Sequence, residues 1–88
     1  MPEWKILVQK RPEMALRRLP RDLQQRLYKA MHSLEQDPRP PNCMKLVGYA
    51  ELYRIRVVDW RIVYAIEDDR LIVLIVEVAP RGSVYCNL

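Results

Sequence analysis

Leu52-Tyr-Arg-Ile-Arg-Val-Val-Asp-Trp-Arg-Ile-Val-Tyr64 reads as a β-hairpin, and the rest of the chain is organised around it. Tyr53, Ile55 and Val57 alternate with Leu52, Arg54, Arg56 and Val58. Past Asp59, Trp60, Ile62, Tyr64 and Ile66 alternate with Arg61, Val63 and Ala65. Successive side chains of a strand point to opposite faces, so each set shares one face. A turn at Val58-Asp59 pairs Tyr53 with Tyr64, Ile55 with Ile62 and Val57 with Trp60, the aromatic and β-branched pairs that a buried face favours. The same register sets Arg56 directly opposite Arg61, with Arg54 one step along. Like charges across a ladder destabilise a sheet unless an anion lies between them. For three converging arginines the simplest anion is a phosphate backbone.

The remaining composition sets bounds. At 88 residues, 50% hydrophobic and 30% charged, the chain is expected to form a single domain over residues 1–88 with one modest core. The longest apolar run, Leu71 to Val76, is too short to span a bilayer. Met1-Pro2-Glu3-Trp4 does not begin like a signal peptide, so a cytoplasmic location is expected, with no membrane partner. Cys43 and Cys86 belong to no CxxC or Cys/His cluster and are read as free thiols. No metal or cofactor is expected. The net charge is +4; residues 1–42 carry nine Lys/Arg against five Asp/Glu, and residues 43–88 carry six of each. In that second half acids gather at turns (Asp59, Asp68, Asp69) and arginines sit within strands, which makes one sheet face positive.

Along the chain, Trp4 to Gln9 alternates as a first strand with Trp4, Ile6 and Val8 inward. Pro12 fits the first turn of a short helix running to about Arg18, and Pro20 ends it. A longer helix follows from about Arg21 to Gln36, with Leu23, Leu27, Met31 and Leu34 in an apolar stripe beside Ala30. Asp37-Pro-Arg-Pro-Pro-Asn42 stops it and makes an extended connection. Strands follow at Leu52–Val58, Trp60–Glu67 and Leu71–Ala79. The order βααβββ predicts an α+β fold, a small antiparallel-rich sheet with two helices on one face. For the last strand two registers compete. A two-residue turn at Asp68-Asp69 sets Ile75 opposite Ile62; a three-residue turn through Arg70 sets Val76 there and Glu77 opposite Arg61. The second is favoured because it keeps Glu77 out of the core.

Lys45-Leu-Val-Gly48, Tyr53-Arg-Ile-Arg56, Asp59-Trp-Arg-Ile-Val-Tyr64, Leu71-Ile-Val-Leu74 and Arg81-Gly-Ser-Val-Tyr85 stand in an order and spacing that resembles the RelE/ParE superfamily of bacterial toxins, in particular RelE-like ribosome-dependent mRNA endonucleases. The resemblance covers nearly the whole chain. It implies the same fold and a toxin of a type II toxin–antitoxin system that cuts mRNA in the ribosomal A site. Its implied site is Arg54, Arg56, Arg61, Arg81 and Tyr85. Arg54 and Arg56 would contact the scissile phosphate region, Arg61 would bind and stabilise phosphate, and Arg81 and Tyr85 would complete the site. The implied partners are the ribosome, mRNA and a RelB-like antitoxin forming a hetero-oligomer.

The implied chemistry is attack by a ribose 2′-OH on the adjacent phosphorus, which needs in-line positioning, charge stabilisation, and a proton acceptor and donor. Arginine cannot serve as the base. That role falls either to Tyr85, with a phenol pKa lowered by surrounding positive charge, or to the ribosome–RNA environment. His32 lies in the long helix and reads as an ordinary surface residue. Where relatives have a Gly-Asp turn this chain has Val58-Asp59, so the loop is expected to widen and shift Arg61 relative to Arg56. Two alternatives stay open: a ParE-like toxin that inhibits DNA gyrase without nuclease chemistry, and a catalytically inactive RNA-binding relative.

Overall fold

The structure, a computed structural model, describes residues 4–46 and 52–80. In chain order the elements are β1 (Lys5–Val8), α1 (Lys10–Arg17), α2 (Arg21–Ser33), β2 (Met44–Lys45), β3 (Leu52–Val57), β4 (Trp60–Glu67) and β5 (Ile72–Pro80). The strands form one sheet in the order β1-β5-β4-β3-β2. β1 runs parallel to β5 and every other pair is antiparallel. This is the expected α+β architecture, extended by the short edge strand β2 within what reads in sequence as a plain connection.

Both helices pack on one face. Leu16 of α1 and Leu27 and Met31 of α2, with Leu34 just beyond it, join Ile55, Ile62, Tyr64, Ile66, Val73, Ile75 and Val78 in a single core. Trp4, Ile6 and Val8 of the first strand segment pack against it, as do Leu23 and Ala30. Helix α2 stops three residues short of Gln36. Leu34, Glu35 and Gln36 donate to carbonyls three residues back, at 3.0, 3.0 and 3.3 Å, so the last turn tightens before Pro38 forbids continuation. The freed Glu35 carbonyl accepts the Trp4 N–H at 3.0 Å, which ties the start of β1 to the end of α2.

The proline connection is tied down as well. Tyr64 has no exposure, and its hydroxyl donates to the Pro38 carbonyl at 2.8 Å. Its ring stacks on Tyr53 at 6.0 Å between centroids. Burial pushes the Tyr64 phenol well above its ordinary pKa, with the nearby Cys43 thiol adding to the shift. It therefore acts as a neutral donor.

The last strand differs from both expected registers. Asp68 to Leu71 form a four-residue connection, with Glu67 opposite Ile72. The register then shifts by one between Val63 and Tyr64, leaving Val76 as a bulge. Ile62 faces Val78, Arg61 faces Ala79, and Glu77 faces Val63 rather than Arg61. The reason is parity. Uninterrupted alternation from the inward-facing Val73 and Ile75 would carry Glu77 into the core. One extra residue turns Glu77 outward and Val78 inward.

Replacing Tyr64 by Phe removes the hydroxyl and leaves the Pro38 carbonyl without that donor. We expect a loss of about 1 kcal/mol, read as a lower urea midpoint with an unchanged m-value.

Candidate nucleic-acid interface

Hairpin β3–β4 divides its residues between the two sheet faces as the alternation predicts. Ile55, Ile62 and Tyr64 enter the core, while Arg54, Arg56 and Arg61 lie on the face away from the helices. Arg56 stands directly opposite Arg61, and Val57 still pairs with Trp60. The expected widening of the loop does not occur. The turn keeps two residues because Val58 takes a positive φ of 56° and Asp59 does not. That pattern belongs to type II′, a turn whose twist suits a hairpin, and not to type I′. A β-branched side chain in that region is strained. The two-residue length of the turn, kept despite that strain, holds Arg61 in register with Arg56.

Two cross-sheet rows make up the basic surface. One runs Met44, Arg54, Val63, Glu77; the other runs Arg56, Arg61, Ala79. Arg56 is exposed, Arg54 and Arg61 are half-buried, and the Nε of Arg61 is shielded from solvent. Val63 is 2% exposed although it lies on this face, so the surface is closely covered between the arginines. Arg54 reaches across to the edge strand, where its Nη2 donates to the Met44 thioether at 2.9 Å. Three guanidinium groups on two adjacent strands can hold an anion with several charge-assisted hydrogen bonds.

Arg81 and Tyr85 lie outside the described residues, so the described portion of the predicted site is Arg54, Arg56 and Arg61. His32 is exposed on α2 and pairs with Glu35 at 3.5 Å, on the helix side of the sheet. Among the described residues no three His, Cys, Asp or Glu side chains gather where they could hold a metal ion.

Sequence reasoning missed one basic residue with strong partners. Arg39, in the proline connection, makes a two-pronged pair with Asp68 at 3.2 and 3.1 Å. Its Nε donates to the Tyr53 hydroxyl at 3.3 Å, and its guanidinium lies 5.3 Å from the centre of that ring. The hydrogen bond to Asp68, then that to Tyr53, pushes the guanidinium further above its ordinary pKa; the hydrogen bond from Arg39 likewise holds the Asp68 carboxyl below its usual range. Arg39 is thus charge-balanced and serves to strap the connection to the β4–β5 loop. No local pattern links the two residues, which are 29 positions apart.

Residues 9–85 match the family described as "ParE toxin of type II toxin-antitoxin system, parDE". Among solved structures, the archaeal RelE–RelB complex from Pyrococcus horikoshii is 28% identical over 96% of this chain and 100% of that one, with a TM-score of 0.82. The isolated Escherichia coli RelE toxin is 21% identical over 96% of this chain and 90% of that one, with a TM-score of 0.79. The toxin in the intact E. coli RelBE toxin–antitoxin complex is 23% identical over 90% of this chain and 98% of that one, with a TM-score of 0.78. The last two, at that identity, show the fold. Among curated proteins none matches.

Two outcomes test the local chemistry. The Arg39–Asp68 pair depresses a carboxyl pKa, so its contribution is present at neutral pH and is lost as the pH falls through the folded-state value, below the ordinary 3.8. Asp68→Asn should therefore be less stable than the parent at pH 7, with the gap closing as the pH falls below the ordinary carboxylate range, as thermal melts at falling pH would record. Val58→Gly should raise stability by about 0.5–1 kcal/mol, net of glycine's greater unfolded-state freedom, as chemical denaturation would show.

Proposed function

We propose, from the premise that this chain belongs to the RelE/ParE superfamily of type II toxin–antitoxin toxins, that it is an endoribonuclease that cleaves mRNA in the ribosomal A site and so arrests translation. The observation that carries the reading is Arg56 held opposite Arg61 on the helix-free face, with Arg54 one step along. A phosphate lying between the two would take charge-assisted hydrogen bonds from both guanidinium groups.

In the proposed reaction the ribose 2′-OH attacks the adjacent phosphorus, the bond to the 5′-oxygen of the next nucleotide breaks, and a 2′,3′-cyclic phosphate remains. Arg54 and Arg56 align the phosphate, and Arg61 stabilises the charge that builds on its oxygens. Arg81 and Tyr85 complete the site on the strength of the sequence resemblance. Because the three strand residues are arginines, they position and stabilise but do not take the proton. The acceptor is Tyr85 or a group of the ribosome–RNA complex, which makes the isolated chain a slow catalyst. The antitoxin is a RelB-like protein, since relatives were solved as RelE–RelB complexes. No helix among the described residues is long and apolar enough to cross a membrane, and the proposed site of action is cytoplasmic.

A second reading rests on the matched family itself, which is described by its ParE toxins. In that reading the chain inhibits DNA gyrase and cuts no RNA.

Inducible expression in a bacterium separates the two. Primer extension on an abundant mRNA should show translation-dependent cuts at codon positions, and a plasmid supercoiling assay should show no gyrase effect. Arg61→Ala or Arg81→Ala should abolish growth arrest, each lowering cleavage about 10²–10³-fold with an unchanged circular dichroism spectrum. Full toxicity in well-expressed Arg81→Ala would remove that residue from the site. Intact mRNA with altered supercoiling would move the chain to the gyrase reading.

A further inference from the structure

Met44 is placed unusually for a methionine. Strand β2 lies at the edge of the sheet, with β3 on one side of it. Met44 is 57% exposed there, whereas Met31 is 2% exposed in the core. It stands opposite Arg54 in the register, and its sulfur accepts a hydrogen bond from the Arg54 Nη2 at 2.9 Å. A thioether is a weak acceptor on a flexible stem, so this contact orients the guanidinium yet yields readily to a stronger anionic acceptor.

We propose that Met44 is a positioning residue for Arg54, and that oxidation of its thioether by a peroxide turns it into a clamp that withdraws the guanidinium from the basic surface. The sulfur lone pair attacks one peroxide oxygen and the O–O bond breaks. Sulfide becomes sulfoxide as the oxygen now on sulfur gives up its proton to the departing hydroxide, which leaves as water. Two electrons pass from sulfur to the peroxide. The new S=O oxygen is polar and a far better acceptor than the sulfur it replaces. It forms where Arg54 already donates, so the guanidinium is held at the sheet edge. The change is reversible, because sulfoxides of methionine are reduced enzymatically. Its consequence for RNA rests on the nuclease reading above; the contact itself does not.

The test uses the full-length chain treated with hydrogen peroxide, with peptide mass mapping to locate the added oxygen. Side-chain ¹H–¹⁵N NMR follows Arg54, and fluorescence anisotropy follows a single-stranded RNA oligonucleotide. With oxygen on Met44, the Arg54 resonances should move and their exchange with water should slow. RNA affinity should fall about fivefold, as for the loss of one hydrogen bond of ordinary strength. Methionine sulfoxide reductase should restore both. Met44→Leu should remove the response to peroxide, while Met14→Leu, on the exposed side of α1, should keep it. Unmoved Arg54 resonances in Met44-oxidised protein would overturn the proposal, and so would an equal loss of affinity in peroxide-treated Met44→Leu. Reduced protein that binds no RNA, with Arg54 still responding to oxidation, would defeat the nuclease reading and uphold the clamp.

Discussion

The hydrogen bond from the Tyr64 hydroxyl to the Pro38 carbonyl sets the geometry on which the other elements depend. A tyrosine ring with no exposure carries one polar group that must be satisfied inside the fold, and a proline-bracketed connection offers a carbonyl at the right depth. That single bond joins the middle of the sheet to the segment leaving α2. Tyr53 then stacks on Tyr64, Arg39 lies over Tyr53, and Asp68 grips Arg39 from the β4–β5 loop. The network runs from core to surface without leaving the central phenol unpaired. It closes the helix side of the sheet.

The other face carries the arginines of the hairpin. Burying Ile55, Ile62 and Tyr64 on one side obliges their neighbours Arg54, Arg56 and Arg61 to share the opposite side, because strand periodicity allows no other arrangement. The two-residue turn at Val58-Asp59, kept despite its strain, leaves Arg56 directly opposite Arg61. Backbone strain at Val58 costs stability at the same end of the hairpin. The acid nearest in register, Glu77, is turned to the same face by the bulge at Val76 and lies opposite Val63, beside the arginines without standing across from Arg61.

The sequence by itself determined β1, the two helices on one face, β3, β4 and β5, their order, and the pairing of Tyr53 with Tyr64, all of which follow from the period of side-chain alternation, a local quantity. The edge strand β2 and the two-residue turn that keeps Arg56 opposite Arg61, where a wider loop was expected, came from the structure. The sequence also carried the family likeness that brings in Arg81 and Tyr85. The path of β5 was decided by the tertiary structure. Each candidate register had the correct parity for half the strand: one turned Val73 and Ile75 inward, the other turned Glu77 outward and Val78 inward. Only a bulge satisfies both, and its placement depends on what packs beneath each residue rather than on the residues themselves. The same holds for Arg39 with Asp68 and for Arg54 with Met44, where the partners meet through the packing of separate segments. A pattern along the chain records which face a side chain takes. Which distant group it meets there is settled when the core closes, because that meeting is fixed by the burial of other residues.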